Sequence, residues 1–550
     1  MKKVTRAAFA EAVSSIDQDL LDAHFDGAEG SATPQAPRRF PWRQVLLTAA
    51  VCALLAALVV SVVLIARRGG DTPPAPGTEA DTTGGTARNT PTQPAAEPGT
   101  EPPETRPVTP AKERETVPAL EGRIGSTPLP NVLHDCALAQ AELPKGPDVP
   151  GPDASQSEWD AYMEWSMNRI RDESLRNLQS PTDFLARAAG TFLSGTEADE
   201  NRVIAPFNVW LAMAMTAEIT GSDTRDELLT LLGAPDIDVL RRTANGLYRL
   251  NCVDDGTMTS LLASSLWLNR AFTYRKDTLD ALRDGYYASV YAGEMGSEAY
   301  NESIRAWVNY WTGGLLSDQA SRIETQADTA AVLYSTLYFH ADWAGSRELE
   351  EEPGVFRGVL CDRACTMLKQ TSKGGEVCEG TAFLATDVEL NGLCVVRLLL
   401  PKEGYTVDDL LADSQAAAYA MGGSPAGVTY GEYILHTTFP SFDVSTSSDL
   451  IPGLQSLGVR KCFVPGEGDF SPLTDDTRLS GLYISRAKSD VRLIVDREGV
   501  SGAAYVQVDA TYSGIPDATE EFWFTCDRPF LCVVLGNHEI PLFAAVVNDP

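Results

Sequence analysis

The feature that most constrains the fold is a strict alternation of apolar and polar residues at positions 500–511. One set of alternate residues is apolar and mostly small: Val500, Gly502, Ala504, Val506, Val508 and Ala510. The intervening set is mostly polar: Ser501, Ala503, Tyr505, Gln507, Asp509 and Thr511. Alternation of this kind predicts a β-strand with one buried face.

The same run continues into residues 512–517, which include Gly514, Pro516 and Asp517. These residue types are typical of an exposed turn rather than of the centre of a sheet. The segment therefore has the sequence of a strand and of a loop. Considered alone, it reads as an ordinary edge strand followed by a turn.

An uncharged apolar run at residues 45–66 is long enough to cross a bilayer as a helix. It lies too far from the amino terminus, and lacks a small-residue cleavage site, for an ordinary signal peptide. We expect a permanent single-pass membrane anchor, with residues 1–44 as a cytoplasmic tail and the carboxyl-terminal part outside the cell. This orientation follows from the arginines that flank the run, which are Arg38, Arg39 and Arg43 before it and Arg67 and Arg68 after it.

The rest of the chain divides by composition. Residues 67–130 are dominated by Pro, Thr, Gly, Ala and Glu, which cannot bury a core, so they predict an extended, disordered stalk. Residues 131–180 contain spaced apolar side chains and are interpreted as an amino-terminal extension that packs on the main domain. From residue 181 to residue 550, helical patterns precede strand patterns without regular βαβ alternation, which predicts an α+β domain.

Charge and motifs exclude several function classes. The net charge of -32 and the lack of a basic stripe argue against nucleic-acid binding. Cys361, Cys365 and Cys378 are the only local cysteine cluster, and their spacing fits no zinc template. We find no nucleophile elbow, metalloprotease motif, phosphate loop or dinucleotide fingerprint, so no catalytic residue, metal or cofactor is expected. A catalytic triad assembled only in space stays open as the enzyme alternative.

The motifs around the alternating segment resemble those of the serpin family. Residues 497–504 stand where the family has its hinge, and residues 527–530, Asp-Arg-Pro-Phe, match the motif that closes its reactive-centre loop. Further matches follow the family's order and spacing at residues 181–184, 201–209, 220–228, 304–316, 331–343, 439–442, 457–458 and 541–547. The resemblance implies a serpin fold, with three β-sheets, about eight to nine helices and an exposed loop that can insert into a sheet.

The resemblance also implies a function, which is inhibition of a serine protease as a suicide substrate whose loop is cleaved and then inserted. Its hinge would be Glu498, Gly499, Val500, Ser501, Gly502, Ala503 and Ala504. Family spacing places the cleaved bond at Ser513–Gly514, with Tyr512 as the alternative specificity-setting residue. No Lys or Arg lies between Gly499 and Cys526, so elastase-, subtilisin- or chymotrypsin-like proteases are the expected partners rather than trypsin-like ones.

The chain departs from the family in the polar cluster at the centre of its main sheet. The matching positions carry Ala205, Asn208, Ser335 and Ser489, and the family's histidine is absent. We expect Asn208 and Ser335 to form an exchanged hydrogen-bonded pair, and Trp343 to be the family's tryptophan at the end of a central strand. The departure keeps two alternatives open: a non-inhibitory carrier or surface-binding member of the same fold, and an adhesion or structural ectodomain on a stalk.

Overall fold

The computed structural model describes residues 108–111, 128–144, 146–147, 150–151, 154–171, 180–255, 258–345, 348–500 and 519–550. These residues belong to one compact unit, Thr105–Pro550. The predicted tail, the predicted membrane span at 45–66, nearly all of the predicted stalk and loop residues 501–518 lie outside the described residues. Within the described part, no helix combines the length and hydropathy needed to span a bilayer.

The described residues contain twelve α-helices. In chain order they are α1 (Asn131–His134), α2 (Gln156–Arg171), α3 (Thr182–Leu193), α4 (Pro206–Ile219), α5 (Ser222–Leu232), α6 (Ile237–Asn251), α7 (Lys276–Tyr286), α8 (Glu298–Trp311), α9 (Ser317–Ser321), α10 (Val407–Ala412), α11 (Ser414–Ala420) and α12 (Ile451–Ser456). Local capping explains several ends. Asp236 caps α6 by accepting a hydrogen bond from the Val239 N–H at 2.7 Å, and α5 ends at Gly233 in the left-handed conformation.

Eighteen strands alternate with these helices in the described residues. They are β1 (Val108–Thr109), β2 (Ala137–Ala139), β3 (Arg202–Ile204), β4 (Val253–Asp254), β5 (Met258–Asn269), β6 (Ala288–Gly293), β7 (Ala331–Asp342), β8 (Glu350–Arg357), β9 (Asp362–Glu379), β10 (Phe383–Glu389), β11 (Val395–Pro401), β12 (Thr429–Pro440), β13 (Phe442–Asp449), β14 (Lys488–Val495), β15 (Gly499–Val500), β16 (Glu521–Thr525), β17 (Phe530–Leu535) and β18 (Pro541–Val547).

Hydrogen bonding joins the strands into two sheets. The first has the order β16-β12-β9-β10-β11-β17-β18-β3, with β1 and β8 also paired to β9. The second has the order β13-β14-β15-β7-β5-β6-β2, with β4 paired to β5. The family resemblance implies three sheets, and two of these are joined into one in this structure. The joining strand is β9, which runs unbroken for 18 residues and pairs with β8, β12 and β10. The predicted α+β class is confirmed.

Helix α4 forms the centre of the molecule. Twelve of its 14 residues are buried, which is the pattern of a helix enclosed on all sides. It packs against β18 of the first sheet and against β7 of the second. The buried side chains of α4, β17 and β18 belong to one continuous hydrophobic core that includes both sheets.

The amino-terminal extension docks on the edge of the second sheet. Leu133 of α1 is fully buried in an aromatic cluster with Trp267, Tyr291 and Trp307, and β2 pairs with β6. The sequence put the packing residues of the extension mainly in the helix that the structure places at α2. None of the α2 side chains that the structure describes is buried, so α1 and β2 make the observed attachment instead.

Candidate functional site

The hinge predicted from the sequence begins inside the second sheet. In β15, Val500 pairs with Val495 of β14 on one side and with Ala341 of β7 on the other, and Gly499 pairs with Asp342. Val500 is only 1% exposed and belongs to the hydrophobic core. Val500, the first residue of the alternating segment and the one that the structure describes, therefore has its side chain directed inward.

The chain can turn into this position because a tight turn precedes it. The Asp496 carboxylate accepts hydrogen bonds from the backbone N–H groups of Glu498 at 2.9 Å and Gly499 at 3.3 Å. A side chain on Gly499 would not fit, since a Cβ there would lie 2.3 Å from the carbonyl oxygen of Ala341. Only glycine permits the hinge to approach β7 this closely.

Trp343, which directly follows β7, donates two hydrogen bonds to the turn that precedes β15. Its indole Nε1–H donates to the Asp496 carbonyl at 2.9 Å, and its backbone N–H donates to the Glu498 carbonyl at 3.3 Å. The side chain is 1% exposed and its ring packs edge-on against Phe439. The tryptophan singled out by the sequence thus contacts the hinge directly.

A second attachment of the hinge involves the residues immediately before β8 and at its start. The backbone N–H of Leu349 donates to the Arg497 carbonyl at 2.8 Å. The Arg497 guanidinium forms an ion pair with Glu348 and lies 3.9 Å from Glu351. Because Arg497 and both carboxylates are substantially exposed, this contact orients the turn and adds little to stability.

Toward the amino-terminal ends of β7 and β14, the described residues show no direct pairing between these two strands. The two strands are joined only through β15. Both are antiparallel to β15, so they run in the same direction, and Ala341 is level with Val495. Six residues earlier on each strand, Ser335 is therefore level with Ser489. Beyond β15, no strand of the described residues pairs with the edge of β7 that faces β14.

The central polar cluster differs from the expectation. Asn208 Oδ1 and the Ser335 hydroxyl are both buried and both lack a hydrogen-bond partner, so the predicted exchange of a hydrogen bond between them is wrong. The strand register instead places Ser264 of β5 directly opposite Ser335, and the Ser264 hydroxyl is also unpaired. Ser448 likewise lies opposite Ser489. Ala205 is buried at the start of α4.

Sequence reasoning missed Ser264, although a signal existed. It is one of three serines in an otherwise largely apolar buried strand, together with Ser260 and Ser265. The Ser265 hydroxyl accepts a hydrogen bond from the Trp267 indole at 2.8 Å, whereas Ser260 and Ser264 have no partner. Which of these serines meets Ser335 depends on the register of β5 against β7, which is not visible in the sequence.

Histidines, cysteines and carboxylates, the side chains that bind metals most often, are spread through the described residues. No group of three potential metal ligands occurs among them. The nine cysteines that the structure describes are free thiols. Burial raises the pKa of the Cys532 thiol to about 12 and that of Cys526 well above its ordinary value, so these thiols are unreactive.

The residues predicted to surround the cleaved bond lie outside the described residues. They are Tyr512, Ser513 and Gly514, together with hinge residues Ser501, Gly502, Ala503 and Ala504. Of the predicted hinge, the structure describes Glu498, Gly499 and Val500, and it brings them together with Trp343.

Comparison with known proteins supports the same region as the functional domain. A family model described as "Serpin (serine protease inhibitor)" matches residues 181–550. Serpin-Z2A of Oryza sativa subsp. japonica is 23% identical over 401 residues, covering 65% of this chain and 93% of its own. Neuroserpin of Mus musculus is 25% identical over 328 residues, covering 57% of this chain and 77% of its own.

Two solved structures have a similar fold. Native tengpin, a thermophilic serpin, has a TM-score of 0.58 at 19% identity, covering 74% of this chain and 97% of tengpin. Human thyroxine-binding globulin in a ligand complex has a TM-score of 0.54 at 18% identity, covering 67% of this chain and 98% of its own.

Proposed function

Because this chain belongs to the serpin family, we propose that it inhibits a serine protease as a suicide substrate, through cleavage and insertion of residues 501–518. Members of this family are generally protease inhibitors rather than catalysts. The observation that carries the proposal is the position of Val500, which is paired on both sides between β7 and β14. Insertion would extend a strand whose first two residues are already in the sheet.

In the proposed reaction, the hydroxyl of the protease's serine attacks the carbonyl carbon of Ser513. The bond to Gly514 breaks, the proton from the hydroxyl goes to the released amine of Gly514, and Ser513 becomes an acyl ester on the protease. Insertion of the preceding residues then moves the ester, with the protease attached, along the sheet before water can hydrolyse it.

The register of β15 indicates where each inserted residue would lie. Continued without a bulge, it brings Val506 level with Ser335 and Ser489, and Val508 level with Leu333 and Ala487. Val500 is already buried, so it adds nothing to the energy of insertion. Burial of Val506 and Val508 contributes roughly 3–6 kcal/mol, before main-chain hydrogen bonds on both sides are counted. No charged residue occupies the inward set from Val500 to Ala510.

The proposed targets are elastase-, subtilisin- or chymotrypsin-like proteases. The loop between Gly499 and Cys526 contains no Lys or Arg, while Asp509, Asp517, Glu520 and Glu521 make it acidic. A trypsin-like specificity pocket would leave its buried carboxylate unpaired on this loop, which is costly.

The test is incubation of the full-length protein with proteases of each specificity class, followed by denaturing electrophoresis. The expected result is an adduct that survives denaturation with an elastase-, subtilisin- or chymotrypsin-like enzyme, mapped to Tyr512, Ser513 or Gly514. A protease whose catalytic serine is replaced by alanine is the control, and it should give no adduct. Cleavage of the loop without any adduct across the whole panel would contradict the proposal.

A second candidate is a non-inhibitory carrier or surface-binding protein of the same fold. The specific observation in its favour is that three buried side-chain oxygens have no hydrogen-bond partner: Asn208 Oδ1 on α4, and the hydroxyls of Ser264 and Ser335 in the second sheet. Such a protein would be cut at the loop without gaining stability, because its loop would not insert.

The proposed inhibitor is displayed outside the cell, with residues 45–66 as a single-pass anchor and residues 67–130 as a stalk. The support is the uncharged apolar run and the arginines on either side of it. Protease treatment of intact cells should release the domain as a soluble fragment. If the domain stays protected until the membrane is permeabilised, the orientation is reversed.

A further inference from the structure

The outward surface of β9, β12 and β16 has an exposed aromatic residue at its centre. Strand register aligns Trp523 of β16 with His436 of β12 and Thr371 of β9, in one row across the first sheet. The next row contains Thr525, Thr438 and Lys369. We call the surface formed by these two rows the Trp523 face.

Trp523 is unusual because it lies on the solvent-facing side of β16, where a polar residue would be expected. Its neighbours Phe522 and Phe524 pack inward, Phe522 against Tyr433 and Phe524 at 2% exposure. Trp523 lies on the opposite side of the strand with 61% of its surface exposed. A large aromatic side chain in the outward set leaves apolar area in water, and tryptophan is enriched among the residues that contribute most of the binding energy at protein interfaces.

The ring of Trp523 is held in place rather than free to rotate. It stacks on the His436 imidazole with a centroid distance of 4.9 Å and an interplanar angle of 12°. The Nδ1 atom of His436 is in turn 3.0 Å from the Thr371 hydroxyl, within hydrogen-bond distance. One face of the indole is therefore supported. Because the ring is already held, the Trp523 side chain would lose little conformational entropy when a partner covers its other face.

The Trp523 face lies between the two ends of the loop. On the carboxyl side, the loop rejoins the sheet at Glu520, whose carbonyl accepts from the Ile434 N–H at 2.8 Å. On the amino side, Arg497 is bonded to Leu349, and the next residue, Glu350, lies opposite Lys369. Three strand spacings, about 14 Å, separate Glu350 from Thr525 along the second row.

We infer that the Trp523 face is a second contact surface for the same protease that cleaves the loop. This inference rests on the proposed function, since it assigns the partner from the position of the loop ends. A protein that holds the loop in its active-site cleft is thereby held over the surface that joins those ends. The partner is a serine protease whose rim, beside the active site, has an apolar recess that receives the exposed indole.

The experiment measures the association rate constant of the full-length protein with the protease that gives an adduct. Trp523→Ala should lower this rate about tenfold. The number of inhibitor molecules consumed per protease should not change, because Trp523 lies outside the strands that insertion separates. Thr371→Arg leaves the indole present but puts a bulky charge beside it, and it should also lower the rate. Thermal melting verifies that each variant is folded.

Leu138→Ala is the matched control. Leu138 is 59% exposed on β2, at an edge of the second sheet. Strand register aligns its neighbour Ala137 with Tyr291, Trp267 and Val332 in one row across the second sheet. Val332 is nine residues from Ala341 on β7, so this row lies about 30 Å from the hinge. Removal of this exposed apolar side chain should leave the association rate unchanged.

The outcomes separate the surface from the function. If the unmodified protein forms the adduct and both variants associate at its rate, the second contact surface is refuted while the inhibitory function stands. If Trp523→Ala changes only the self-association of the protein, the face contacts a second copy and the inference is overturned. If the unmodified protein forms no adduct with any protease, the proposed function fails, and the inference fails with it.

Discussion

Ser264 lies directly opposite Ser335 where β5 pairs with β7, and neither hydroxyl has a hydrogen-bond partner. A buried hydroxyl without a partner costs about 1–3 kcal/mol. Ser335→Ala should therefore raise the free energy of unfolding by about 1 kcal/mol or more, as measured by denaturant titration. Ser265→Ala is the control in the neighbouring strand and should be destabilising, because it removes the acceptor of the Trp267 indole. A loss of stability in Ser335→Ala would mean that its hydroxyl is hydrogen-bonded after all.

Val500 tests whether entry of the hinge into the sheet is required for inhibition. A positive charge at this 1% exposed position would be buried without a partner, which costs far more than the valine contributes. Val500→Arg should convert the protein from an inhibitor into an ordinary substrate, with cleaved protein replacing the covalent adduct on denaturing gels. Val500→Ala keeps the site apolar and should retain most of the adduct. Equal adduct yields from the two variants would contradict insertion through this hinge.

Cleavage of the loop should make the domain more stable. The cut frees residues 501–510 to continue β15 between β7 and β14, and burial of Val506 and Val508 alone adds roughly 3–6 kcal/mol. Thermal melting before and after limited proteolysis measures the change, with Val506→Asp as the control that should reduce the gain. A melting temperature that stays the same or falls would favour the non-inhibitory alternative.

The buried ion pair of Arg397 with Asp387 tests how much such a pair contributes to the stability of the first sheet. Its guanidinium is nearly buried, donates to both carboxylate oxygens of Asp387 at 2.9 Å, and lies over the ring of Tyr419 at 4.3 Å. Asp387→Ala leaves this cation without its main partner and should lower the free energy of unfolding by about 3–5 kcal/mol. Glu294→Ala breaks the exposed ion pair with Arg270, and should cost less than about 1 kcal/mol. Similar losses in the two variants would show that burial does not govern the energy of these pairs.

Several features of the fold were predictable because they depend on local pattern. Alternation at residues 500–511 predicted one inward face, and the buried side chain of Val500, the residue of this run that the structure describes, agrees with it. The order of motifs from residue 181 to residue 550 specified the α+β domain and its family. The hinge glycine, Gly499, was identified by its place in the motif, whereas the requirement for glycine there follows from the close approach of the Ala341 carbonyl, which needed coordinates.

The central cluster was predicted only in part. Asn208, Ser335 and Ser489 were identified by their places in the motifs, but the hydrogen bond assigned to Asn208 and Ser335 does not occur. The residue that meets Ser335 is Ser264, 71 positions earlier in the chain. Period and composition carry no information about which residues of two distant strands become neighbours, so a pairing of this kind could not be read from one sequence.

The sequence by itself determined the alternating face of the loop, the absence of basic residues within it and the class of the domain, because each is a property of residue types at short spacing. Only the tertiary structure decided that Val500 already lies between β7 and β14, that Trp343 holds the turn before it, and that Trp523 is exposed between the ends of the loop. Those facts depend on strand register and on contacts across more than 100 residues, such as the bond from Trp343 to Asp496. Such contacts form only when the hydrophobic core brings distant segments together, since the free energy of burial, and not local preference, selects which segments meet.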